Sequence, residues 1–197
     1  MCKGAGLPCL VRVTDPEQAR QALDGGANGV ILPYMETVDQ VKALRGAVKL
    51  RPLKGKRLAD ALATGVVEGE ELAAYIKKGG DERALVLNIE SQAAIDNLEN
   101  MLAPELGVDA VIIGPHDLSC NLGVPEQYSH PKFQAAVKTI FEKARAAGVG
   151  AMIHHIGTMF GDGMQNTDAG MFLKWGANNI VTGGDLVFFI NGLKGRS

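Results

Sequence analysis

Short, unbroken aliphatic runs recur along the chain, and each is followed by a stretch with helical spacing. Residues 7–13 (LPCLVRV), 29–34 (GVILPY), 84–89 (ALVLNI), 110–114 (AVIIG), 150–154 (GAMIH) and 179–182 (NIVT) show no apolar–polar alternation. Such runs mark parallel strands covered on both faces. The first predicted helix, residues 16–24, opens on Asp15-Pro16 as N-cap and first helical residue and stops at Gly25-Gly26. Thr37 caps the next, and further helices are predicted over 68–78, 91–106, 131–147 and 168–175. The basic segment 49–57 (KLRPLKGKR) breaks the pattern, and its Pro and Gly argue for a loop. The polar stretch after residue 114 also reads as loop. Six strands alternating with helices, with no Gly-rich first turn or P-loop, point to a (β/α) barrel rather than a dinucleotide-binding sheet. Residues 1–197 form one domain, with no linker and no repeat beyond the alternation itself.

Composition narrows the function classes. The 197 residues are 46% hydrophobic and 5% aromatic, with 25 glycines, a balance that suits aliphatic strands and Ala-rich helices. A formal net charge of −2 gives no electrostatic footprint for nucleic acid or an anionic membrane. No apolar run is long enough to cross a bilayer, and the N-terminal MCKGAGLPCLVRV lacks the apolar stretch of a secretory signal. Cys2, Cys9 and Cys120 are odd in number and lack metal-ligand spacing, so a reducing, cytoplasmic setting is expected.

In parallel α/β folds the chemistry gathers where strands end, and three strand ends carry charge. Arg12 lies inside CLVRV; its guanidinium is either paired with a core carboxylate or forms an anion or carbonyl clamp at the barrel mouth. Glu90 closes ALVLNIE and Asp117 closes AVIIGPHD. Either acid alone is equally well a solvated acid or a cap near a helix N-terminus. Together they end consecutive strands, about 4.8 Å apart in a sheet. Hard cations take carboxylate oxygens at about 2.0–2.1 Å in an octahedral shell. The pair can therefore share one Mg²⁺ or Mn²⁺ and leave positions for water and a bidentate 2-oxo acid. Such a metal polarises the ketone and stabilises an enolate, with Arg12 adding positive charge nearby. His154 and His155 end the strand AMIHH on the same side. They read as loop or core histidines, or as acid–base groups titrating near neutral pH.

The segments LVRV (10–13), LDGGANGVILPYMET (23–37), NIES (88–91) and IIGPHDLSCNLGVPEQY (112–128) resemble the HpcH/HpaI aldolase family in order and spacing. The resemblance implies a TIM barrel and a metal-dependent lyase. That lyase cleaves a 4-hydroxy-2-oxo acid to pyruvate, or another 2-oxo acid, and an aldehyde. By the same resemblance Glu90 and Asp117 match the ligands of Mg²⁺ or Mn²⁺, with Co²⁺ as a further candidate, and Arg12 matches the substrate-binding arginine. Gly114, Pro115 and the amides around His116 and Asp117 match the turn that receives the substrate carboxylate. Asn88 stands where relatives often carry glutamine, a place to hold metal-bound water.

Family members carry two further strand–helix units before the arginine strand, the second supplying a histidine thought to act as general base. Here that strand sits almost at Met1. The barrel is accordingly expected to be incomplete at its N-terminus, about six of eight units, with His155 or His116 as substitute bases. An open barrel exposes strand edges, so a homo-oligomer is expected. The basic run 49–57 is a solvated loop or an attractor for a dicarboxylate. Two alternatives accompany the aldolase reading: a non-catalytic metal- and oxo-acid-binding subunit, and an acyl-CoA lyase of the citramalyl or malyl type.

Overall fold

A computed structural model of the chain describes residues 2–155 and 167–184, together with Gly192. Six parallel strands form one sheet in the order β1 (Leu10–Arg12), β2 (Gly29–Leu32), β3 (Ala84–Ile89), β4 (Ala110–Ile113), β5 (Gly150–His154) and β6 (Asn179–Val181). Each strand pairs with its neighbour in sequence, and the sheet curls into a half-barrel with helices outside.

Helix α1 (Pro16–Asp24) carries the predicted cap: Asp15 accepts from the Glu17 and Gln18 amides. Helix α2 (Val38–Val48) opens with a full capping box between Thr37 and Gln40. Three predicted elements change. The basic segment is not all loop, because α3 (Gly55–Thr64) begins inside it. The long helix expected over 91–106 breaks into α5 (Gln92–Asp96), α6 (Leu98–Met101) and a 3-10 turn (Pro104–Leu106), after α4 (Glu70–Asp81). The break falls at Asn97, whose side chain donates to the Glu36 carbonyl at 2.9 Å instead of lying along a helix face. The polar stretch after β4 is a short helix, α7 (Pro115–Asn121), with Gly114 as N-cap. Helices α8 (Pro131–Ala146) and α9 (Ala169–Lys174) fall close to expectation.

Strand register sorts the side chains into two sets, because paired residues share a face and neighbours along a strand alternate. Val30, Leu32, Leu85, Leu87, Ile89, Val111, Ile113, Ala151 and Ile153 form one face and pack against the helices in the main core. Helix α8 supplies Phe133, Val137, Ile140, Phe141 and Ala144 to that core. A fully buried Leu or Phe contributes about 1.5–3 kcal/mol, so this layer holds the sheet in place. Register puts Arg12, Ile31, Val86, Asn88, Ile112, Met152 and His154 on the opposite, concave face.

The end of the sheet where strands begin has its own device. Asn28, Asp109 and Asn178 each stand one residue before β2, β4 and β6, and each accepts an amide N–H at the start of the preceding strand. Those amides belong to Cys9, Leu85 and Ala151, at 2.9, 2.7 and 2.7 Å. Two residues earlier stand Gly26, Gly107 and Gly176, with φ of 93°, 66° and 112°, values that favour glycine. The segments GANGV, GVDAV and GANNI are therefore a short structural repeat at every second strand, contrary to the repeat-free reading of the sequence. Lys49 joins this end through Asp109 at 2.7 Å and the Arg83 carbonyl at 2.7 Å, and Arg51 pairs with Asp24. These two cations of the basic run are structural and lie away from the strand ends that carry the acids.

Candidate active site

Glu90 follows the last residue of β3 and is 1% exposed, so it is not a solvated acid. Asn88 Nδ2 donates to its Oε1 at 2.6 Å, and the Tyr34 amide donates to its Oε2 at 3.2 Å. Gly114, the next residue across the sheet, lies under the carboxylate: a Cβ there would come within 2.5 Å of Glu90 Oε1. This is the close approach for which the strand end needs glycine. Asp117, in the first turn of α7, is half-buried, and its Oδ1 accepts from the Tyr34 hydroxyl at 3.1 Å. Glu90 and Asp117, from consecutive strand ends, are thus brought together through one tyrosine.

The electrostatics follow from this crowding. Burial pushes the Glu90 carboxyl above its ordinary value, the Tyr34 amide opposes that, and the Asp117 charge adds to it. The hydrogen bond to Asp117, and then its charge, raise the Tyr34 phenol. Arg12 is exposed and makes no ion pair among the described residues, which sets aside pairing with a core carboxylate. Its positive charge is felt by Glu90, Tyr34 and His154. Three strands thus aim one cation and two acids at the same mouth.

The histidines separate. His116 is 57% exposed and turns to Glu126, Nδ1 to Oε1 at 3.3 Å. His155 lies on the helix-facing side, where its ring meets Phe172 edge-on at 6.2 Å and Nε2 reaches the Thr167 carbonyl at 2.9 Å. His154 is the histidine on the concave face, beside Gly114 in the register. Burial, and then the Arg12 charge, hold it below the usual histidine value. Its Nδ1 and the Asn88 Oδ1 are buried with no hydrogen-bond partner among the described residues. Sequence reasoning assigned no site role to Tyr34, and it weighed His154 as an acid–base group but named His155 or His116 as the substitute base; strand parity was the signal that separates His154 from His155.

The acids suit a hard cation. Both Glu90 oxygens and Asp117 are oriented by donors, Gly114 keeps the space clear, and the Asn88 oxygen beside Glu90 is ready to accept from a bound water. No group of three His, Cys, Asp or Glu side chains able to hold a metal occurs among the described residues. A shell built on this pair would be completed by water and ligand. A separate cavity of about 620 Å³ between α1, α2 and α3 is lined by Arg20 and Arg51, both already paired with acids, and includes neither Glu90 nor Asp117.

The class defined here is an α/β protein of parallel half-barrel type, with an acidic pair and an exposed arginine at the carboxyl ends of its strands. The HpcH/HpaI aldolase/citrate lyase family profile matches residues 3–192, and the chain belongs to that family. It is 32% identical over 177 residues to the 2-keto-3-deoxy-L-rhamnonate aldolase of Shigella boydii, covering 90% of this chain and 62% of that protein. The Escherichia coli O1:K1 enzyme of the same name matches at the same identity and coverage. The chain thus spans less than two thirds of the length of these curated relatives. Among solved structures, an HpcH/HpaI aldolase from Desulfitobacterium hafniense superposes with a TM-score of 0.74 at 26% identity, over 98% of this chain and 74% of that one. The citrate synthase SbnG gives the same TM-score at 20% identity, over 98% and 72%, and shows the fold alone. No helix among the described residues is long and apolar enough to cross a membrane.

Proposed function

We propose that the protein is a divalent-metal-dependent aldolase that cleaves a 4-hydroxy-2-oxo acid to pyruvate, or a related 2-oxo acid, and an aldehyde. The observation that carries this reading is the buried Glu90 carboxylate held against Asp117, with Arg12 exposed nearby, in a chain of this family. The names of the rhamnonate aldolase relatives support the substrate class. Glu90 and Asp117 would hold Mg²⁺ or Mn²⁺, which when bound acts as a Lewis acid on the 2-oxo group. The first-turn amides of His116 and Asp117, left without intrahelical acceptors by helix geometry, would receive the substrate carboxylate. Arg12 offsets negative charge as the C3–C4 bond breaks and its electron pair moves onto the 2-oxo oxygen.

Proton transfer needs a group that takes the C4 hydroxyl proton and later returns one to C3. His116 and His155 are engaged elsewhere, which favours His154. Burial and the Arg12 charge favour its neutral form, it faces the concave side, and its buried Nδ1, without a hydrogen-bond partner among the described residues, is open to a bound ligand. The test is pyruvate release from a racemic 4-hydroxy-2-oxo acid with and without Mg²⁺ or Mn²⁺, alongside Glu90→Ala. Metal-dependent release that disappears in Glu90→Ala is expected. A wild type that binds metal and pyruvate yet releases nothing would point instead to a non-catalytic binding subunit.

A further inference from the structure

Tyr34 follows Pro33 just beyond the end of β2 and has no role in the proposed reaction above. Its φ is 50°, in the left-handed region where a bulky non-glycine residue is uncommon and strained. Strain of this kind persists only when the surroundings impose it, and here they do. Met35 is 3% exposed and anchors the chain in the core. Glu36 is strapped from both sides, by Ser91 through its carboxylate and by Asn97 through its carbonyl. Pinned on its far side in this way, the chain can turn at residue 34 and place one residue's two donors on two different acids. The amide donates to Glu90 Oε2 at 3.2 Å and the hydroxyl to Asp117 Oδ1 at 3.1 Å.

We propose that Tyr34 is a positioning residue of the acidic pair, fixing Glu90 through its backbone and Asp117 through its hydroxyl so that both carboxylates present to one divalent cation. The proposal rests on the reading of Glu90 and Asp117 as the cation's ligands. Its physical basis is that a carboxylate free to rotate must be ordered when the cation binds, whereas one already held by a donor has less to lose. Asp117 depends on this more than Glu90 does. Glu90 is also held by Asn88, while the Asp117 carboxylate takes the Tyr34 phenol as its donor and otherwise meets the Glu90 carboxyl itself. Tyr34 is 48% exposed, so the hydroxyl can be removed without opening the core.

The experiment is calorimetric titration of Mn²⁺ into the full chain as wild type, Tyr34→Phe, Tyr34→Gly and Asp117→Asn, with folding checked by circular dichroism. Wild type is expected to bind and Asp117→Asn to lose binding. Tyr34→Phe is expected to bind about 10- to 100-fold more weakly, the loss typical of an outer-shell hydrogen bond to a metal ligand. Tyr34→Gly relaxes the backbone but lacks the hydroxyl, so it should be at least as weak. A spectroscopic signature separates positioning from a merely structural role: Mn²⁺ should produce a tyrosine ultraviolet difference band in wild type that Tyr34→Phe lacks. Unchanged or tighter binding by Tyr34→Phe, with Asp117→Asn still inactive in binding, overturns the Tyr34 proposal alone. A wild type that does not bind Mn²⁺, or an Asp117→Asn that binds as well as wild type, removes the cation site and the Tyr34 proposal with it.

Discussion

At the scale of single residues, the candidate site is a set of groups whose ordinary preferences are opposed by their surroundings. Glu90 is a carboxylate buried on a strand end, Tyr34 holds a left-handed backbone, and His154 keeps an imidazole nitrogen without a partner among the described residues. His154 has a measurable consequence. Burial and the facing Arg12 charge lower its proton affinity in the folded state, so the unfolded chain binds more protons below its own value of about 6.5. Stability should be undiminished by His154 above that value and should fall as pH drops from there through the depressed folded value. Urea unfolding at about pH 7.5 and about pH 5 should show a smaller difference for His154→Leu than for wild type. An equal difference in the two proteins would mean that the ring titrates normally. Glu90 and Asp117 were legible from the sequence because they end consecutive aliphatic runs. Tyr34 was not, because its part depends on the backbone turn at residue 34 and on partners 56 and 83 residues away.

At the scale of elements, the alternation of aliphatic run and amphipathic stretch placed all six strands and α1, α2, α4, α8 and α9 to within a few residues. Local signals were enough there: Asp15-Pro16, the Thr37–Gln40 box and the glycines after helices act on neighbours in sequence. The breaks in the 91–106 region and the helix after Gly114 depended on more distant groups. Asn97 leaves the helix for the Glu36 carbonyl, and Pro115 starts a turn whose length is set by packing of Leu118 in the core. The glycine–Asn/Asp repeat before β2, β4 and β6 was present in the sequence, but its period spans strand–helix pairs of unequal length. Asn178 gives the test. Asn178→Ala leaves the Ala151 amide without its acceptor and should cost about 1–3 kcal/mol in denaturant unfolding. Binding of Mn²⁺ should be unchanged, because the residue lies at the opposite end of the sheet from Glu90. A loss of metal binding at full stability would contradict that separation.

For the whole molecule, the described strands form an open sheet in which β1 and β6 each pair on one side. Leu10, on β1, is 41% exposed, and Leu7 just before it is 61% exposed. An unpaired parallel edge with exposed leucines favours association with further protein. We expect light scattering on the purified chain to show a species larger than a monomer, with Leu10→Lys shifting it toward the monomer. A stable, monodisperse monomer would rule out self-association through these edges.

The sequence by itself determined the alternation of strands and helices, the membership of the HpcH/HpaI family, and the two acids and the arginine at the strand ends. Each of these is written in contiguous residues, as an aliphatic period, a cap or a motif such as GPHDLS. The tertiary structure decided which face each strand-end residue takes and who its partners are. It buried Glu90 and turned His155 to Phe172 and His154 to the concave side. It also closed Tyr34 over both acids. Those outcomes depend on register between strands and on contacts across many tens of residues. A linear pattern does not encode them, because the energy that selects them comes from packing the sheet against its helices.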